Sequence, residues 1–164
     1  MPIGVARRAD LDSIVAIYNA SIPGRMATAD TSPVTVEQRE GWFAEFDPTR
    51  RPLWVSTDDA GVVLAWLSLR SFYGRPAYHE TVEVAVYTAP VAQRRGLARN
   101  LLRHALQHAP GLGIRTLLAF IFGHNRPSLT LFAREGFATW GTLPGVAELD
   151  GVRRDLVILG RAFS

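Results

Sequence analysis

The chain has 164 residues, 48% of them hydrophobic, a length and composition that suit one domain with a substantial core, which we expect to span residues 1–164. It contains no cysteine, and all 18 basic residues are arginine, which excludes disulfides, thiol nucleophiles, Cys-ligated zinc and a catalytic lysine. The formal net charge is only +3 and no basic block is present, so we expect no nucleic-acid partner.

The first third of the chain predicts an edge strand and two helices. Residues 2–8 fit the strand, and charged residues rather than an apolar stretch follow them, so we expect no export signal and a cytoplasmic protein. Asp10 is placed to cap the first helix. After a loop over residues 21–33, Thr35-Val-Glu-Gln38 forms a capping box that begins the second helix.

The middle of the chain predicts three strands and a helix. Residues 53–57 and 62–72 are joined by the hairpin turn Asp58-Asp-Ala-Gly61. From Thr81 the apolar residues alternate with a period of two, and after Gly96 they recur at helical spacing. The turn between them combines two arginines with a helix N-terminus, which favours an anion such as phosphate, although an ordinary solvated turn would have the same composition.

The last third predicts a buried strand, a helix and a hairpin. Residues 114–122 are almost uniformly apolar, as in a strand buried on both faces, and far shorter than the roughly 20 residues of a membrane helix. We therefore expect no membrane partner. Pro127 lies in the first turn of a fourth helix that ends at Gly136, and two strands flank Asp150-Gly151. The order β-α-α-β-β-β-α-β-α-β-β predicts an α/β or α+β fold, a mixed sheet with helices on its faces.

Three motifs resemble those of the GNAT superfamily of acyl-CoA-dependent N-acetyltransferases. Gln93-Arg-Arg-Gly-Leu-Ala98 is similar to the Gln/Arg-x-x-Gly-x-Gly/Ala turn that binds the pyrophosphate of coenzyme A. Asn125-x-x-Ser-x-x-Leu-Phe-x-x-Glu-Gly-Phe137 resembles the second signature of that superfamily, and Arg75-x-Ala-Tyr-x-x-Thr-x-Glu-x-x-Val-Tyr87 resembles its phosphinothricin-acetyltransferase-like branch. The resemblance implies a mostly antiparallel sheet of about six to seven strands with four flanking helices, in which strands 81–88 and 114–122 splay apart around the cofactor.

The resemblance also implies an activity: transfer of an acetyl group from acetyl-CoA to the primary amine of a small molecule, above all an amino acid or an analogue, with no metal. Glu83 would be the general base, although an isolated glutamate in a strand is more often a structural partner for an arginine. A backbone N–H near Val86, freed by a bulge, would polarise the thioester carbonyl. The implied cofactor contacts are Ala85, Val86, Tyr87, Gln93, Arg94, Arg95, Gly96, Leu97, Ala98, Asn125, Ser128 and Phe132.

The implied acceptor site has two unusual features. Arg75 and Tyr78 match positions that bind anionic groups of amino-acid-like substrates, whereas Tyr73 stands where phosphinothricin enzymes carry a basic residue, which argues against that herbicide. Phe132 occupies the place of a tyrosine or histidine general acid, so the proton donor for the leaving thiolate is missing. An acyl-CoA-binding regulatory module with little catalysis is therefore the alternative, and a homodimer is left open.

Overall fold

The computed structural model describes the whole chain, Met1–Ser164, and no helix in it is long and apolar enough to span a membrane. Its elements follow the order that the sequence predicts. They are β1 (Ile3–Val5), α1 (Leu11–Ser21), α2 (Val36–Ala44), β2 (Leu53–Thr57), β3 (Val63–Ser71), β4 (Thr81–Thr88), α3 (Leu97–His108), β5 (Thr116–Phe122), α4 (Arg126–Arg134), β6 (Ala138–Leu149) and β7 (Val152–Ala162).

The seven strands form one sheet in the order β1-β2-β3-β4-β5-β7-β6. Every neighbouring pair is antiparallel except β4 and β5, which are parallel. These two strands pair only from Thr81–Thr116 to Glu83–Leu118, although both continue for several residues beyond. The predicted splay is therefore confirmed, and it opens the sheet near its centre.

Both faces of the sheet are covered. On one face α3 buries Leu101 and Leu102 in the larger core cluster, together with Leu67 of β3 and Val84 of β4. On the other face α1 packs against β2 and β3 through a smaller cluster, and the indole N–H of Trp66 donates to the carbonyl of Ile14 at 3.1 Å. This packing fixes α1 across β3 and β4, next to the point where the sheet opens.

The local predictions were right at α2 and wrong at α1. Thr35 Oγ1 accepts the N–H of Gln38 at 3.1 Å and Gln38 Oε1 accepts the N–H of Thr35 at 2.9 Å, which confirms the capping box. Asp10, by contrast, makes no side-chain bond to the first turn of α1. Its carboxylate accepts the N–H of Arg7 at 2.8 Å, because a short 3-10 turn precedes α1 and Asp10 closes that turn instead.

The close approach of Trp140 to Gly160 gives a stability prediction. A Cβ on Gly160 would lie 2.1 Å from the indole of Trp140, so Gly160→Ala must displace the ring. We expect a loss of about 1–3 kcal/mol, the usual cost of overpacking, seen as a lower Tm in thermal unfolding. Gly41→Ala is the matched control, because its Cβ would meet nothing within 4 Å in a helix and should raise the Tm. Equal melting temperatures for the two variants would contradict this account of the β6–β7 packing.

Candidate active site

The splay between β4 and β5 forms a cleft of about 410 Å³, large enough for part of a cofactor. One wall is β4 from Glu83 to Tyr87, and the opposite wall is β5 with α4. The loop residues Met26 to Ala29 cover it. The predicted cofactor contacts that line this cleft are Ala85, Val86, Tyr87, Asn125, Ser128 and Phe132.

The backbone donor predicted at Val86 arises differently from the prediction. The register between β3 and β4 runs without a shift from Ser71–Val82 to Ala65–Thr88, so β4 has no bulge. Thr81 and Ala89 hydrogen-bond to the β3 side, and the alternation of an antiparallel pair therefore turns the N–H of Val86 toward β5. Because β5 has already diverged beyond Glu83, that N–H points into the cleft. The splay itself, rather than a bulge, frees the donor.

The turn that follows β4 has the backbone of an anion site. Gly96 is the N-cap residue of α3 with φ +77°, and it supplies no side-chain cap to the helix N–H groups. Arg94 also has positive φ, at +65°, and Gln93, Arg94, Arg95 and Gly96 are all exposed. An anion can thus reach the first N–H groups of α3, the positive end of its dipole and two arginines.

Glu83 is half-buried and forms neither a hydrogen bond nor an ion pair. Burial raises the pKa of its carboxyl above the ordinary value, and the nearby charge of Arg70 offsets part of that rise. Arg70 itself pairs with Glu45 at 3.2 Å. Glu83 is therefore not the structural partner of an arginine. Its raised pKa suits a general base.

The loop between α1 and α2 is attached to both sides of the opening. On the β4 side, the Tyr87 hydroxyl donates to the carbonyl of Ala27 at 3.2 Å, and burial raises the pKa of Tyr87 well above its ordinary value. On the α4 side, Asn125 Nδ2 donates to the carbonyl of Met26 at 3.1 Å, while Asn125 Oδ1 caps α4 by accepting the N–H of Ser128. The loop thus lies across the cleft between β4 and β5, and the amide of Asn125 is already occupied.

Phe132 and the two histidines of α3 have packing roles. Phe132 is 3% exposed and meets Phe137 edge to face at 5.0 Å, so it gives the cleft an apolar wall and no proton donor. His104 and His108 lie 4.6 Å and 5.9 Å from the ring of Trp54. The two histidines are four residues apart and so lie on one face of α3, where both contact Trp54.

The predicted acceptor residues lie outside the cleft. Arg75, Tyr78 and Tyr73 belong to the segment between β3 and β4, where Tyr73 is 77% and Tyr78 43% exposed. The rings of both tyrosines pack around Phe72, at 4.2 Å and 5.4 Å, and the side chain of Arg75 is exposed. The structure does not bring them to Glu83, and their role in acceptor binding stays a prediction.

A second cavity of about 220 Å³ lies on the α2 side of β4 and was missed from the sequence. It shares Glu83, Ala85 and Tyr87 with the cofactor cleft. Its remaining residues come from three elements that are distant in the chain, and their aromatic side chains resemble ordinary core residues. One partial indication was present in the sequence: side chains alternate along β3, so the β3 residues of this cavity lie on the face opposite to Leu67 and Leu69. The remaining residues are Tyr18, Arg39, Trp42, Trp66, Ser68 and Arg70.

Comparisons with known proteins show the family to which the chain belongs. The model of the Acetyltransferase (GNAT) family matches residues 14–137. The chain therefore belongs to the GNAT family and is an acyl-CoA-dependent N-acetyltransferase. A Bacillus subtilis protein provisionally named phosphinothricin acetyltransferase YwnH is 53% identical over 164 residues, which cover 100% of both chains.

Two further relatives are more distant. The L-methionine sulfoximine/L-methionine sulfone acetyltransferase of Pseudomonas aeruginosa is 31% identical, with 92% of this chain and 88% of the relative covered. The crystal structure of a GNAT superfamily phosphinothricin acetyltransferase from Sinorhizobium meliloti, in complex with acetyl-CoA, superposes with a TM-score of 0.94 at 27% identity, covering 99% of this chain and 88% of that one. The mostly antiparallel sheet and four helices predicted from the resemblance are thus confirmed.

Proposed function

We propose that the chain transfers the acetyl group of acetyl-CoA directly to the primary amine of an amino acid or amino-acid analogue, with Glu83 as general base. The observation that carries this proposal is the position of Glu83. Glu83 lines both cavities, and its carboxyl has no ion-pair partner and a raised pKa. A base in that place can face an amine and a thioester at once.

The residues of the cleft fit acetyl-CoA, which supplies the acetyl group as a thioester with an electrophilic carbonyl carbon. The N–H of Val86 would donate to the carbonyl oxygen as negative charge develops on it. Glu83 would accept the proton that the amine loses, directly or through one water. Because Phe132 cannot donate, the departing thiolate would take its proton from solvent.

The remaining cofactor contacts would come from the turn before α3 and from the two walls of the cleft. The turn from Gln93 to Ala98 would bind the pyrophosphate, and Ala85, Val86 and Tyr87 would lie along the acetyl group and pantetheine arm. Asn125 would have to exchange the carbonyl of Met26 for a pantetheine amide. Ser128 and Phe132 would form the opposite wall.

A charge reversal tests the phosphate site. Gly96→Asp adds a Cβ at φ +77° and a carboxylate beside the expected phosphates. We expect the Kd for coenzyme A, measured by calorimetry, to rise about tenfold or more, since charges at a helix N-terminus are worth up to about 2 kcal/mol. Gly113→Asp is the matched control: Gly113 has φ +74°, equally open surroundings and a place beyond the opposite end of α3. Unchanged affinity in Gly96→Asp would show that the phosphates bind elsewhere.

Because Arg75, Tyr78 and Tyr73 are exposed, each can contribute only a small free energy to acceptor binding. An exposed charge contributes up to about 1 kcal/mol to an ion pair, so Arg75→Ala should raise the KM of an anionic acceptor by no more than about fivefold. Affinity for coenzyme A should not change. An unaltered KM would make Arg75 a surface charge without a role in the reaction.

A turnover assay separates this function from the alternative of an acyl-CoA-binding regulatory module. The alternative is favoured by one observation, the apolar Phe132 at the place of a general acid. With acetyl-CoA and L-methionine sulfone, a substrate taken from the name of the Pseudomonas aeruginosa relative, we expect thiol release matched by N-acetylated product. Binding of acetyl-CoA without turnover on that acceptor or on a panel of amines would support the regulatory module.

A further inference from the structure

Two cavities meet at β4, which raises the question of which substrate each of them binds. Glu83, Ala85 and Tyr87 line both the cofactor cleft and the second cavity. Both cavities therefore border on Glu83. Resting on the function proposed above, we infer that the second cavity is the acceptor site and that Arg70 binds the carboxylate of the acceptor.

Of the arginines near the second cavity, Arg39 and Arg51 are already engaged. The guanidinium of Arg39 lies 4.6 Å from the centre of the Tyr18 ring and forms an ion pair with Asp30 at 3.2 Å. Arg51 is buried, and its side chain donates to the Ser71 hydroxyl at 2.9 Å and to backbone carbonyls at 2.6 and 2.9 Å. Turning either one toward a ligand would break contacts inside the protein.

Arg70 is held much more weakly. Its only polar contact is the 3.2 Å ion pair with Glu45, and the two side chains are 48% and 62% exposed. Exposed pairs of this kind change an equilibrium constant by no more than about fivefold, so a substrate carboxylate can replace Glu45 at little cost. Arg70 also lines the second cavity, unlike Arg75.

The position of Arg70 relative to Glu83 fits an α-amino acid. The two residues are direct partners across β3 and β4, which puts their Cβ atoms about 5 Å apart on one face of the sheet. No ion pair joins them, and the only ion pair of Arg70 is the exposed one with Glu45. An α-amino acid carries its amine and carboxylate on one carbon and presents the complementary pair of charges. Trp42 and Trp66 offer an apolar wall to its side chain.

Glu45 is then an internal competitor for Arg70. It follows the last residue of α2, and its side chain forms no other hydrogen bond or ion pair. Replacing it by glutamine should release Arg70 toward the cavity and strengthen binding of the acceptor carboxylate. General damage to the protein lowers kcat/KM, so a higher kcat/KM for one substrate could not be explained by damage.

The test compares an amino acid with its amide in matched variants. For each enzyme the kcat/KM for L-methionine sulfone is divided by that for L-methionine sulfone amide, which lacks the carboxylate charge. The difference in amine basicity between the two acceptors is the same in every variant, so comparing this ratio between variants cancels it, together with any general catalytic damage. Arg70→Met should lower the ratio by about three- to fivefold, because the side chain of Arg70 is 48% exposed and an exposed ion pair changes an equilibrium constant by no more than that. Arg70→Lys should lower it less, and Glu45→Gln should raise it about two- to fivefold.

The outcomes separate this inference from the proposed function. An unchanged ratio in Arg70→Met, or a larger drop in Arg75→Ala than in Arg70→Met, would overturn the role of Arg70. An unchanged ratio in Glu45→Gln would show that Glu45 does not compete with the substrate, and would also count against the inference. Absence of acetyl transfer by the wild type to both acceptors and to other amines would instead contradict the function itself.

Discussion

Glu83→Gln should lower kcat/KM by about 10²–10⁴-fold near neutral pH, the usual contribution of a general base. Glutamine keeps the volume of the side chain and one oxygen atom but cannot accept the proton of the attacking amine. Glu83 is also the only acidic residue that lines the cofactor cleft, so no neighbouring carboxylate can replace it. Steady-state rates of thiol release measure the effect, and the loss should shrink at high pH, where more of the amine is already neutral.

Glu83→Gln should not weaken the fold or the affinity for coenzyme A. Burial raises the pKa of Glu83 in the folded protein, and such a carboxyl contributes stability only while it is protonated. That contribution is lost as the pH rises through the folded-state pKa, so at neutral pH the neutral glutamine should leave the Tm unchanged or raise it. Glu80→Gln, an acidic residue outside both cavities, is the control and should keep its activity. Full activity in Glu83→Gln, or an unfolded variant, would contradict the role of Glu83.

The same pKa shift sets a pH dependence. Glu83 has to be ionised to accept a proton, so kcat/KM should fall as the pH drops through its raised pKa. This acid limb should lie at a higher pH than an exposed glutamate would give, and it should be absent in Glu83→Gln.

Val86→Pro should lower kcat by about 10²–10³-fold, the cost of losing one donor to a developing oxyanion. Proline removes the N–H that the splay turns into the cleft, and no hydrogen bond of the sheet is lost with it, because β4 and β5 are no longer paired there. Val86→Ala is the control for the side chain and should keep kcat within a few-fold.

The position of the proline is itself a test of the strand geometry. Ala85 lies one residue earlier, and its N–H is directed toward β3 in the regular register of that pair. Ala85→Pro should therefore destabilise the protein much more than Val86→Pro, as shown by their melting temperatures. A kcat for Val86→Pro equal to that of Val86→Ala, with coenzyme A still bound, would remove the N–H from the mechanism.

Much of the fold could be predicted because its signals are local. The period of two from Thr81 and the helical spacing after Gly96 belong to single elements, and Thr35 and Gln38 define a cap between residues three apart. Hairpin turns such as Asp58–Gly61 also depend on neighbouring residues alone. Family motifs carried by contiguous residues pointed to Ala85, Val86 and Tyr87, which line the cleft between β4 and β5.

The remaining features depend on how distant elements meet. The free N–H of Val86 results from the divergence of β5, which no residue in β4 indicates. Asp10 bonds backward to Arg7 because a 3-10 turn precedes α1, a choice between two local structures that the same residues allow. The second cavity requires α1, α2 and β3 to pack together, and from the sequence Trp66 and Arg70 look like a core aromatic and a surface charge.

Initial-rate kinetics distinguish direct transfer between two substrates, bound on opposite sides of Glu83, from transfer through a covalent intermediate. Rates would be measured while acetyl-CoA and L-methionine sulfone are varied together, and the intact mass of the protein would be recorded with acetyl-CoA alone. We expect double-reciprocal lines that intersect, as in a ternary complex, and a protein mass that acetyl-CoA does not change. Parallel lines together with an acetylated protein would show a covalent intermediate and contradict direct transfer.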